Sequence, residues 1–334
     1  MKKMSVALTV VMALVLLLTS FAYAQEGEEM EPIVLGVSFP HQENIVWVAA
    51  KTYMEQYAEQ YAARIGRDIE LIITVAGSDT TRQASDIEDL INRGVDVVLA
   101  SPLDSTTIGA SVKAAHEADI PFVTFLRPAS PDVEQPEANV GIDPVHQAYT
   151  TGTCLAAVLK ADGVGGKCIN LQGDLRDENA ILRDEGWTKA GEETGAWEDV
   201  VTIPAEWLPE KALTGVTNAL QANPEVNCMF VASDHYMAAV QTALEQAGRW
   251  VPRGEEGHIY IGSQDIFPEA IEMMQGGYID CNTELAVFDV AKTAVEVGVM
   301  LAEGKWDFQF PGRVGTPENI DALEHLWGRD FAEK

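Results

Sequence analysis

From Ile33 onward the chain alternates short, continuously apolar runs with amphipathic stretches of about a dozen residues or more, and no other feature constrains its fold as tightly. IVLGVS (33–38), IELIITV (69–75), VDVVLAS (95–101) and IPFVTFL (120–126) read as strands, and 44–65, 80–92 and 106–118 as helices. Strands without polar alternation must be covered on both faces, which is the pattern of parallel sheets with helical crossovers. A Pro-rich stretch (127–138) and a short strand around Val140 interrupt the pattern. It then restarts, with helices at 146–160, 179–193, 209–222, 235–246 and 268–275, strands at 167–173, 199–205, 226–233, 258–263 and 278–285, and a closing helix at 286–303. Two βα arrays of similar size imply an α/β protein with two Rossmann-like, doubly wound parallel-sheet lobes. Ligands of such sheets collect at the carboxyl ends of the strands, so the cleft between the lobes is the expected site.

The first 24 residues, MKKMSVALTVVMALVLLLTSFAYA, read as a secretory signal: Lys2 and Lys3 are the charged region, Val6 to Leu18 the apolar region, and Ala22-Tyr23-Ala24 a small-x-small cleavage site. The apolar run is shorter than the roughly 20 residues a spanning helix needs. Residues 25–32 form an acidic leader without apolar periodicity. No cysteine precedes Cys154, so cleavage near Ala24 leaves no lipid acceptor. A soluble, monomeric periplasmic protein is the expectation.

About 310 residues remain after cleavage, more than one core organises, in agreement with two lobes. The formal charge is −30, or −32 without Lys2 and Lys3. Such a field repels phosphate backbones and anionic lipid, which argues against a nucleic-acid partner. Cys154, Cys168, Cys228 and Cys281 lack close C-x-x-C spacing, and three lie in or beside apolar strand-like runs. They read as unpaired buried thiols, one bridge being the alternative that an oxidising compartment permits.

The segment VDVVLASPLDSTTIGASVKAAHEADIPFVTF, with its Pro102-x-Asp104-Ser105 turn, resembles that of ribose-binding-like periplasmic sugar-binding proteins. Further matches are Arg183-Asp-Glu-Gly186-Trp187, Phe230-Val-Ala-Ser233-Asp234 before Met237-Ala238, Gly262 with Asp265 and Pro268-Glu269-Ala270, and Gly276-Gly277-Tyr278 before Cys281. Their order and spacing cover roughly residues 33–305. The resemblance implies the type I periplasmic binding protein fold: two lobes joined by three crossovers near Ile142, Leu285 and Gly312, closing on a sugar as a hinge. It places 33–142 plus 285–312 in the N-terminal lobe and 143–284 plus 313–334 in the C-terminal lobe. Delivery to an ABC permease is the implied role, with presentation to a chemoreceptor or sensor kinase as the alternative.

A neutral sugar needs apolar surfaces for its C–H faces and a ring of charged or amide groups for its hydroxyls. Trp47, at the start of the first helix, and Trp207, in the polar EWLPE loop, are the stacking candidates, inward packing being the competing reading for Trp47. Arg127 and Arg183 resemble the family's hydroxyl-binding pair, and a guanidinium grips adjacent hydroxyls with a fixed fork of donors. Asp265 and Glu284 stand at strand ends as acceptors; Ser233 and Asp143 fall where relatives carry amides. Leu126 replaces an aspartate that often precedes the arginine, which points away from ribose itself and toward another neutral sugar or a polyol. His41 or His235 could fill the space these departures leave, the competing reading being a solvated loop histidine.

No enzyme constellation emerges. GVGGKC (163–168) precedes its strand and lacks P-loop spacing, no G-x-G-x-x-G or G-x-S-x-G follows a strand, and the histidines show no paired metal spacing. The acids of 174–185 lack the regular spacing of a calcium loop. No catalytic residue, metal or cofactor is expected.

Overall fold

The apolar runs form strands because, without polar alternation, they are stable only when covered on both faces, and Asn44, Asp79, Asp143 and Asp177 start four of the helices that cover them. The computed structural model of the chain describes residues 30–305. The signal sequence, most of the acidic leader, the crossover expected near Gly312 and the segment 313–334 lie outside the described residues.

The first lobe runs β1 (Ile33–Phe39), α1 (Ile45–Ile65), β2 (Ile69–Val75), α2 (Thr80–Asn92), β3 (Val97–Ala100), α3 (Ile108–Glu117), β4 (Phe122–Phe125) and β5 (Ala138–Val140). Asn44 and Asp79 cap α1 and α2 by accepting from the N–H groups of Val46 and of Thr81 and Arg82, and Gly66 ends α1 in the left-handed conformation. The second lobe runs α4 (Pro144–Asp162), β6 (Gly166–Gln172), α5 (Glu178–Thr194), β7 (Trp197–Pro204), α6 (Pro209–Ala222), β8 (Cys228–Val231), a 3-10 turn (Asp234–Tyr236), α7 (Met237–Gln246), β9 (Tyr260–Asp265), α8 (Pro268–Gln275) and β10 (Cys281–Glu284). The expected helix at 235–246 thus begins as a tighter turn, because Ser233 accepts from His235 N and holds the chain there.

Both sheets are parallel, in the orders β2-β1-β3-β4-β5 and β10-β9-β8-β6-β7. Counted from opposite edges these are one winding, second-first-third-fourth-fifth, used twice. The interior strands β3, β4 and β8 are buried at every residue, whereas the edge strand β2 is half-buried, as covered parallel sheets require. A final helix, α9 (Val287–Ala302), leaves the second lobe and packs on α1 and on β1, β3, β4 and β5 of the first. Gly298 permits that approach: a Cβ there would lie 3.2 Å from Leu35 and 3.3 Å from Leu99.

The expectation of free cysteines is overturned. Cys168 on β6 and Cys228 on β8 form one disulfide (Cα–Cα 4.4 Å), and Cys154 on α4 and Cys281 on β10 form another (6.1 Å). Cys168 and Cys228 are direct register partners, so their side chains share one sheet face. Apolar context correctly indicated burial of Cys168, Cys228 and Cys281, though not of the exposed Cys154, and carried no information on which strands become neighbours.

Candidate functional site

The carboxyl ends of both sheets face one another, and the loops leaving them line a cavity of about 70 Å³. From the first lobe come His41, Asn44, Val46 and Trp47 after β1, and Leu126 and Arg127 after β4. From the second come Asp177, Asn179 and Arg183 on or before α5, Trp207 after β7, Ser233 and His235 after β8, Asp265 at the end of β9, and Leu285 after β10.

Arg183 is built into its own lobe. Its Nη2 lies 2.7 Å from Asp265 Oδ1, Nη1 donates to the Ala232 carbonyl at 2.6 Å, and Nε donates to Gln147 Oε1 at 3.0 Å. Gln147 in turn donates to the carbonyls of Thr283 and Glu284, and Ser233 Oγ donates to Asp265 Oδ2 at 2.5 Å. Behind this pair Asp234 is buried, accepting from Ser263 Oγ, Phe267 N and Asn282 Nδ2. Burial first, then the Asp265 charge, pushes its carboxyl up to about 6.

Arg127 depends on the other lobe. Its Nε lies 2.8 Å from Asp177 Oδ2, and its guanidinium sits 5.0 Å from the centre of the Trp47 ring. His41 meets Trp47 edge-to-face, and burial, with the positive charge of Arg127 beside it, holds its imidazole down to about 4. Burial also lowers His235. Both rings are therefore neutral near pH 7, and both line the cavity, the first of the two readings the sequence allowed.

Trp207 is held on three sides. Nε1 donates to Asp177 Oδ2 at 3.0 Å, its backbone N–H donates to Tyr236 Oη, and its ring stacks on Tyr236. It lies over Gly173, where a Cβ would come within 2.1 Å of the indole, so only glycine admits this placement. Of the seven non-glycine residues with positive φ among the described residues, Leu126, Glu206, Trp207, Asp265 and Ile266 line the cavity or adjoin a residue that does. Such strain, about 1–3 kcal/mol each, persists where the surroundings fix a ligand clamp.

Six of the eight residues read from the sequence converge here: Trp47, Arg127, Arg183, Trp207, Ser233 and Asp265. Two do not. Asp143 is exposed and turns back to cap α4, accepting from His146 N. Glu284 ends the edge strand β10 with its side chain exposed, and the next residue, Leu285, takes the place on the cavity wall. Sequence reasoning missed Asp177 and Asn179. The strand-end rule pointed to the loop after β6, but its acids were weighed only as a calcium loop. Asn179 Nδ2 donates to the Leu126 carbonyl across the cleft, while its buried Oδ1 has no protein partner. Among the described residues, no three His, Cys, Asp or Glu side chains converge as a metal site.

Residues 35–305 match the family described as periplasmic binding protein domain. The chain belongs to this family. The ribose import binding protein RbsB of Bacillus subtilis is 28% identical over 228 residues, 68% of this chain and 70% of that protein. The D-allose-binding periplasmic protein of Escherichia coli is 25% identical over 264 residues, 77% and 80% of the two chains. An ABC transporter solute binding protein of Bacillus halodurans, solved with myo-inositol, superposes with a TM-score of 0.73 at 25% identity over 89% of this chain and 98% of its own. The two parallel-sheet α/β lobes are thus the architecture of its family.

Proposed function

We propose that this protein captures one neutral monosaccharide or polyol in the interlobe cavity by hinge closure and delivers it to an ABC permease, as a binding protein and not an enzyme. The observation that carries the reading is the cavity's charge balance. Two arginines face two aspartates, Arg127 with Asp177 and Arg183 with Asp265, while both histidines are held neutral. The remaining guanidinium N–H groups offer donors, Asp265 and Asn179 Oδ1 offer acceptors, and Trp47, Trp207, Val46, Leu126 and Leu285 offer apolar surface. That combination suits a molecule with hydroxyls on its rim and C–H groups on its faces. The names of the relatives, which bind ribose, allose or myo-inositol, support the same class.

In this reading the signal is cleaved near Ala24 and the mature chain works as a monomer in the periplasm. The test is a thermal-shift screen of the mature chain, refolded free of ligand, against pentoses, hexoses, deoxy sugars and polyols. At about a thousand times Kd, one member should stabilise the fold by about 4 kcal/mol, seen as a melting shift of several degrees. A panel that gives no shift, or a compound that is chemically converted on incubation, overturns the reading.

A further inference from the structure

Asp177 occupies a position that physical chemistry reserves for an anion. It is the N-cap of the seventeen-residue helix α5 and accepts from Asn179 N at 3.0 Å, where the helix dipole and free N–H groups favour negative charge. The Arg127 cation reaches the same carboxylate from the first lobe at 2.8 Å, and the Trp207 indole donates to it at 3.0 Å. Its side chain is 1% exposed, yet it forms part of the cavity wall. Beside it the buried Asn179 Oδ1, without a protein partner, is an acceptor that takes a hydroxyl proton and has nothing to give a carboxylate.

We infer that Asp177 sets the charge selectivity of the cleft. The carboxylate is a resident anion that occupies the joint field of Arg127 and the α5 N-terminus, so neutral hydroxylated ligands are accepted and sugar acids are refused. This rests on the neutral-sugar reading above. With Asp177 in place the four charged groups facing the cavity sum to zero. Without its charge, Arg127 faces the cavity uncompensated, beside helix N–H groups able to receive a ligand carboxylate. Asp177 is also a positioning residue, since one carboxylate fixes both Arg127 and Trp207.

The experiment compares wild type, Asp177→Asn and the double variant Arg127→Gln/Asp177→Asn by calorimetric titration at low salt. The probes are D-glucuronate, D-galacturonate and D-gluconate, with D-ribose, D-allose, xylitol and myo-inositol as neutral counterparts. Wild type should bind the acids at least tenfold more weakly than its best neutral sugar. Asp177→Asn should gain affinity for at least one acid by roughly tenfold to a hundredfold, a gain that shrinks with added salt. The double variant, electrically balanced again, should lose it. A purely structural role for Asp177 predicts weaker binding of everything and no such gain.

Wild type binding a hexuronate as well as its best neutral sugar overturns the inference, as does a folded Asp177→Asn with no gain. Should that variant not fold, Asp177→Ser keeps a capping oxygen and carries the same test. Should no neutral sugar bind wild type while the neutralised variant gains an acid, the functional reading fails and the selectivity stands.

Discussion

The two lobes share one winding but hold their arginines differently. Arg183 is paired with Asp265, the Ala232 carbonyl and Gln147, all within the second lobe, which also carries both disulfides. Arg127, in the first lobe, finds its carboxylate on the second, in a set of cross-lobe bonds that also joins Ser105 to Arg176 and Glu178 and Leu126 to Asn179. If the cleft closes as proposed, the second lobe brings a finished polar platform to it, whereas the first completes its part of the site only against the second. Preorganisation on one side lets binding energy be spent on a single movement.

The largest expected effect separates the lobes by their disulfides. In the loop-entropy estimate, bridges closing 60 and 127 residues each stabilise by about 4–5 kcal/mol. Reduction should unfold the second lobe at much lower denaturant while hydrogen exchange in the β1–β4 core of the first lobe changes far less. Thiol titration after denaturation without reductant should count zero. A count of four, or equal loss of protection in both lobes, breaks the comparison.

Next in size is the contrast between the arginines. Arg183→Ala leaves Asp265 buried without its cation, which costs about 3–5 kcal/mol of stability and should lower the melting temperature even without ligand. Arg127→Ala breaks a pair whose partner can meet water when the lobes part. It should cost only about 1 kcal/mol of ligand-free stability, and its main loss should appear in affinity, about 1–3 kcal/mol. Equal destabilisation of the ligand-free protein by both variants would show that the first lobe's arginine is as preorganised as the second's.

How much of this was legible in the sequence follows the same division. The alternation of apolar runs and amphipathic stretches foretold every strand and α-helix among the described residues, because burial on both faces leaves a local signature. Arg127, Arg183, Ser233, Asp265 and both tryptophans were reachable through the resemblance to the sugar-binding family, which marks those positions. The misses are long-range. Which cysteines pair depends on β6 and β8 being neighbours, and the role of Asp177 depends on a guanidinium fifty positions earlier in the chain. Asp143 and Glu284 stood at plausible positions, but a cap and an edge strand turned their side chains away. For His41 the deciding fact was burial beside Arg127, which a polar loop sequence does not display.

That histidine gives the smallest and most specific effect. His41 belongs to the first lobe, and its imidazole is held down to about 4, against an ordinary value of 6.5, by burial and by the Arg127 charge. Because the unfolded chain takes up this proton first, the linkage favours folding above pH 6.5 and erodes stability as pH falls from 6.5 toward 4. In the closed cavity, the proton would place a second cation beside Arg127 and undo the charge balance. Affinity for the neutral sugar should therefore be flat from pH 8 to 6 and fall as pH approaches 4, as followed by titration calorimetry. His41→Gln keeps a neutral hydrogen-bonding side chain and should flatten that fall while leaving affinity near pH 7 within a few-fold. The second lobe supplies a contrasting signature: Asp234, raised to about 6, takes up its proton over the higher part of the same interval and relieves the crowding of charge behind Asp265. An affinity loss that survives His41→Gln unchanged would move the acid sensitivity from the closing lobe to the preformed one.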